Sequence, residues 1–186
     1  MDALAELTAE QGYEATKISD IVKRAGVARK TLYDNFEGKE EVFLAAFDAA
    51  RDEVLRRVEE GADADEGAEA EERDWQERVE GGLAAFLAYV AEQPTLARMC
   101  MIEALQATPA TARRYEDADK TFVELARQVL PKGERVPDTI AESLVGGVAW
   151  IVRRQIDRGE AERAEDLLPE LTEFMLAPYL DASMPE

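Results

Sequence analysis

Four neighbouring side chains carry the clearest chemistry in this sequence. In residues 28–36, ARKTLYDNF, Leu32 and Phe36 stand four apart and share one face of a helix. Arg29, Lys30, Tyr33 and Asp34 fall together on the opposite face. The inward face is apolar, and the outward face offers two cations, a phenol and a carboxylate. Cations and hydroxyls fix register on phosphates, and a few side chains reach base edges. The second helix of a helix-turn-helix presents that mixture to a major groove. Before it, Ile18, Ile21, Val22 and Ala25 recur at helical spacing. Gly26 then permits a tight turn, which Val27 is expected to plug.

Charge isolates this stretch from the rest. Lys17, Lys23, Arg24, Arg29, Lys30 and Lys39 face only Asp20, Asp34 and Glu37 within residues 17–39, in a chain of formal net charge −19. An acidic remainder discourages casual adhesion to nucleic acid, so binding would depend on correct docking of the positive island.

Composition narrows the alternatives. The chain has 186 residues, 46% of them hydrophobic, enough for a core. It has no histidine and one cysteine, Cys100. The common zinc sets, Ser-His-Asp and Cys-His catalysis are therefore excluded, and we expect neither an enzyme nor a cofactor. A single cysteine suits a reducing compartment, and no apolar run reaches membrane-spanning length, so the expected location is the cytoplasm, with no membrane partner. The N-terminal MDALAELTAEQGYEAT does not read as a secretory signal.

The pattern predicts an all-α fold of about nine helices. The first ends at Gly12, and Thr16 or Ser19 caps the second. Residues 28–36 form the third and 39–60 a long fourth. The acidic stretch GADADEGAEAEE, residues 61–72, has no large apolar side chain and reads as a loop. A helix bearing Val79, Leu83, Phe86, Leu87 and Val90 follows, then a central one over 95–107. A long helix starts at Pro109. Another covers 138–158, after Pro137 and before Gly159, and the last spans about 166–180. The expected division is a DNA-binding head, residues 1–47, and a regulatory body, residues 48–186.

The stretch GYEATKISDIVKRAGVARKTLYDNFEGKEEVFLAAF closely resembles the signature of the tetracycline-repressor (TetR) family. Gly12-Tyr13, Thr16, Ile21, Ala25-Gly26-Val27, Thr31-Leu32-Tyr33, Phe36 and Lys39-Glu40 carry the match. The resemblance implies a homodimeric transcription regulator, usually a repressor. Its three-helix heads would bind an inverted-repeat operator in double-stranded DNA, and its helical body a small-molecule effector. It places Thr16, Arg29, Lys30, Thr31, Tyr33, Asp34 and Lys39 at DNA-contacting positions. Thr16, Thr31, Tyr33 and Lys39 suit phosphates, with Lys39 at a helix N-terminus. Arg29, Lys30 and Asp34 suit base edges: Arg or Lys donates to guanine, and Asp accepts from cytosine. Two positions depart from the pattern: Ala28 stands where a Ser or Thr cap is common, and Thr8 where an aromatic is usual. A helical dimeric interaction protein with weakened DNA binding is the alternative.

In the body, Phe86, Tyr89, Met99, Met101, Tyr115, Phe122 and Trp150 would line an apolar effector pocket or simply form core. Glu103 and Asp119 suit a cationic or hydroxylated effector, and Arg98 and Arg153 an anionic one. For the dimer, the glycines of ESLVGGVAWIVRRQI allow close backbone approach. Leu144, Gly147, Val148, Ile151, Leu171, Phe174 and Met175 are the expected contact residues. By the resemblance, two helices from each protomer form the interface.

Overall fold

The computed structural model describes residues 2–63, 75–131, 137 and 139–182, and all regular structure among them is helical. The helices are α1 (Asp2–Ala15), α2 (Ile18–Ala25), α3 (Arg29–Tyr33), α4 (Lys39–Ala62), α5 (Trp75–Glu92), α6 (Pro94–Arg98), α7 (Ala104–Ala107), α8 (Pro109–Val129), α9 (Thr139–Asp157) and α10 (Leu168–Ala182). A π-helical turn, Met99–Glu103, joins α6 to α7 in one continuous rod, which gives nine helices among the described residues, in line with the about nine expected. A 3-10 segment, Ala161–Leu167, leads into α10.

Turn chemistry explains most of the boundaries. Gly26 takes φ 68°, and the Gly26 and Val27 N–H groups donate to Lys23 and Val22 carbonyls, closing α2. Gly159 closes α9 the same way at φ 76°, its N–H bonding Ile156 and that of Glu160 bonding Gln155. At the start of α8, the Thr108 and Thr111 hydroxyls accept from each other's backbone N–H, with Pro109 between them. Glu41 reaches back to the Glu37 N–H at 2.5 Å and fixes the start of α4.

Several expected boundaries differ. Gly12 kinks α1 at φ 80°, ψ 162° rather than ending it, and the helix resumes to Ala15. Neither Thr16 nor Ser19 caps α2: its N-cap is Lys17, without a side-chain bond. Thr16 turns back onto the Gly12 carbonyl, and Ser19 onto Asp20. The acidic stretch begins inside α4, which runs to Ala62, and residues 64–72 lie outside the described residues.

Contacts divide the chain into two compact units, Met1–Asp52 with Gln93–Ala118, and Glu53–Glu92 with Asp119–Glu186. This differs from a division at residue 47, because the 93–118 segment closes the core of the head. Leu4, Leu7, Ile21, Leu32, Phe43 and Phe47 pack with Met99, Ala104, Tyr115 and Ala118. Each such large side chain contributes roughly 1.5–3 kcal/mol when fully buried. In the second unit, α5 packs on the 3-10 segment and α10, and α9 packs on both. Val79, Leu83, Leu87, Val90, Leu144, Val152, Ile156 and Leu171 are buried there. Trp75 of α5 meets Tyr179 of α10 edge-on, centroids 5.7 Å apart.

Candidate nucleic-acid interface

The helix-turn-helix, α2 and α3, forms as its spacing predicts. Leu32 is 6% exposed, and Phe36 packs against the same core. Arg29, Lys30, Thr31, Tyr33 and Asp34 all face solvent. Within this surface the Arg29 guanidinium lies 5.6 Å from the Tyr33 ring centroid, and its Nη2 donates to the Tyr33 hydroxyl at 3.4 Å. That contact holds two candidate DNA contacts side by side. Asn35 donates to the Thr31 carbonyl at 2.7 Å and secures the end of α3. Its start is unsupported, because Ala28 is the N-cap and has no side chain to donate to. Val27 does not plug the turn: it is 43% exposed.

Two expected phosphate contacts have other partners. Thr16 is 1% exposed, and its hydroxyl donates to the Gly12 carbonyl at 2.8 Å. Lys39 is half-buried, and its Nζ donates to the carbonyls of Tyr13 and Thr16 at 2.6 and 2.9 Å. Burial pushes the Lys39 pKa down, and nearby Glu14 partly offsets this. Arg24, another cation of the island, bonds Glu6 at 2.9 Å and Glu10 at 2.9 and 3.0 Å. The Arg24 hydrogen bond holds the Glu10 carboxyl below its ordinary value. Lys17, Lys23, Arg29 and Lys30 stay exposed. Sequence reasoning missed Glu6 and Glu10 as the partners of Arg24. Their spacing of four on α1 put them on one face, but nothing local pointed to a residue on the next helix.

The pattern of the family described as "Bacterial regulatory proteins, tetR family" matches residues 1–46. Its N-terminal head is thus similar to TetR-type heads over those residues. The match covers the TetR-type head through most of the first half of α4. The chain is also 27% identical, over 133 residues, to the fatty acid metabolism regulator protein of Bacillus subtilis strain 168, covering 72% of this chain. It spans 65% of that relative, just under two thirds of its length. The fold is similar to the fatty acid degradation regulator FadR of Bacillus halodurans, with TM-score 0.82, 19% identity, and 94% and 91% of the two chains covered. It is also similar to FadR of Bacillus subtilis, solved in complex with stearoyl-CoA. There the TM-score is 0.80, identity 20%, and coverage 95% of each chain.

The residues considered for an effector pocket fall in different units. Met99, Met101, Glu103 and Tyr115 belong to the first, where Met99 and Tyr115 are core and Glu103 is 8% exposed. Phe86, Tyr89, Asp119, Phe122 and Trp150 belong to the second. Phe86 and Phe122 face each other with centroids 6.3 Å apart, and Arg57 covers the buried Tyr89 ring at 5.3 Å. Trp150 is not enclosed: it is 55% exposed, with Arg154 over its ring.

The residues expected at a dimer contact also separate. Leu144, Val148, Leu171 and Met175 are buried in their own chain, where α9 packs on the 3-10 segment and α10, and α10 also packs on α5. Gly147 and Ile151 are half-buried, and Phe174 is exposed with its ring edge against Gly147. Trp150, Phe174 and Leu180 remain as exposed large apolar residues of α9 and α10. A shallow groove runs along α10, lined by Pro169, Thr172, Glu173, Leu176, Ala177 and Leu180.

Proposed function

We propose that this protein is a DNA-binding transcriptional repressor. It holds an inverted-repeat operator as a homodimer and leaves it when a long-chain acyl-CoA binds the body. The observation that carries the reading is the outward face of α3, where Arg29, Lys30, Thr31, Tyr33 and Asp34 are all exposed within a TetR-type head. Arg29, Lys30 and Asp34 read base edges, and Thr31 and Tyr33 hold phosphates. The acyl-CoA assignment rests on the stearoyl-CoA complex of a protein of the same fold and on the fatty acid regulator sharing 27% of aligned residues. The protein works in the cytoplasm without catalysis. No described helix is long and apolar enough to cross a membrane.

The dimer surface takes in the exposed Trp150 and Phe174 and the α10 groove that Leu180 lines. Two copies of that surface, related by a twofold axis, would bury it. Dimerisation spaces two α3 helices for two half-sites about one turn of DNA apart. An effector then acts only by preferring one spacing of the heads.

The test is selection of bound duplexes from a random pool, repeated with stearoyl-CoA present. An enriched inverted repeat, lost on adding stearoyl-CoA, is the expected result. A pool without enrichment would leave the helical interaction protein, a reading that the uncapped α3 favours.

A further inference from the structure

The outer crest of α3 carries one carboxylate among cations. Asp34 stands one turn beyond Lys30, since its N–H donates to the Lys30 carbonyl at 2.8 Å. By helical period it lies opposite Leu32 and Phe36, the pair packed on the core. The rows on either side are tied down locally: Arg29 rests on Tyr33, and Asn35 bonds the Thr31 carbonyl. Lys30 and Asp34 are exposed, and among the described residues neither side chain has a hydrogen bond or an ion pair. Arg24, by contrast, is paired with Glu6 and Glu10. An unpaired carboxylate at the outermost point of a helix that meets DNA repels the polyanion. It lowers affinity for every sequence alike, unless a base donates to it.

We propose that Asp34 sets operator specificity by exclusion: it admits cytosine at one position of each half-site and turns away the other bases. The inference rests on the DNA-binding reading above and deepens it. In the major groove cytosine presents the N4 amino donor alone. Guanine presents the acceptors N7 and O6, and thymine the acceptor O4 and a methyl group. Adenine sets its N7 acceptor beside the N6 donor, against the second carboxylate oxygen. A carboxylate therefore meets a wholly favourable edge only at cytosine. Lys30 has the opposite demand and suits guanine. Four residues of helix separate the two by about 6 Å along the axis, nearly two base-pair steps of about 3.4 Å, so they read different pairs. Lys30 supplies affinity, and Asp34 removes it from wrong sites.

The test is selection of bound duplexes from a random pool with the full-length protein and two variants. Wild type is expected to favour cytosine at one position of each half-site by about tenfold. Asp34→Ala is expected to lose that preference alone, and to bind a random-sequence duplex more tightly than wild type does. Asp34→Asn keeps the size and adds a donor, so the same position is expected to switch to adenine, read through N6 and N7. The position so located then receives N4-methylcytosine, which still pairs with guanine but replaces the groove-facing N–H by a methyl group. Wild type is expected to lose about tenfold in affinity on that change, and Asp34→Ala nothing. A cytosine preference that survives in Asp34→Ala, or weaker binding of that variant to random duplex, overturns the proposal. Equal wild-type affinity for cytosine and N4-methylcytosine overturns it as well. A wild-type pool without enrichment overturns the DNA-binding reading itself. An enriched repeat whose bases do not depend on Asp34 leaves that reading standing and removes only this one.

Discussion

Gly61 and Gly81 bring two helix backbones into direct contact. A methyl group built on Gly61 would stand 2.5 Å from the Gly81 carbonyl oxygen and 2.9 Å from the Ala85 Cβ. Backbone cannot swing aside as a flexible side chain can, so α4 and α5 must separate to admit it. Gly81→Ala, which meets the Gly61 carbonyl, is expected to cost about 2 kcal/mol as overpacking. Gly146 sits mid-helix in α9 with nothing within 4 Å of its missing Cβ. Gly146→Ala should therefore stabilise the protein by about 1 kcal/mol through helix propensity. Urea midpoints of the two variants check both signs. A neutral Gly81→Ala would show that the helix contact is loose.

Thr8 is fully buried in the head, and its hydroxyl has no hydrogen-bond partner. An unpaired buried hydroxyl costs about 1–3 kcal/mol. Thr8→Val keeps the branched shape and removes the cost. It should raise the denaturation midpoint by the equivalent of about 1 kcal/mol with no change in the denaturant slope.

Burial pushes the Cys100 thiol up to about 12, and the Asp48 carboxylate adds to the shift. Folding thus favours the protonated thiol. Its contribution is fully present below the ordinary value of 9.0 and is lost as pH rises towards 12. At pH 8 the native thiolate population is about a thousandfold below that of an ordinary cysteine. Iodoacetamide should label native Cys100 at least a hundredfold more slowly than the urea-unfolded chain. Equal rates would place the thiol in a more polar setting than the fold shows.

Trp150 and Phe174 are exposed apolar side chains, and neither belongs to the buried core. Trp150→Ser with Phe174→Ser should convert a dimer to a monomer at micromolar concentration, read by light scattering, with helical content retained by circular dichroism. Leu171→Ser, at a position 1% exposed, should instead unfold the second unit. If the double variant stays dimeric, the interface lies elsewhere.

Particular residues show why some features were readable beforehand and others were not. Gly26 and Gly159 were expected to end helices, and both take positive φ there, because glycine tolerates that backbone at no steric cost. Gly12 carried the same signal, yet α1 resumes after it, since Thr16 and Lys39 satisfy the carbonyls around the kink. Thr111 tied itself to nearby Thr108, a short-range pattern, but it also bonds the Ala104 carbonyl at 2.7 Å across the junction of α7 and α8.

The all-helical period, the turn at Gly26, the inward Leu32 and Phe36, and the polar outward face of α3 follow from residues within a turn or two of one another, and local periodicity specifies them. The tertiary structure alone decided which cations of the positive island remain exposed and which apolar residues of α9 and α10 are core. Arg24 is spent on Glu6 and Glu10, and Lys39 on carbonyls of Tyr13 and Thr16. Leu144 and Leu171 are covered while Trp150 and Phe174 are not. Those partners lie many residues away in the chain. A charge or an apolar side chain carries no mark of its partner until packing brings the two within a few ångströms.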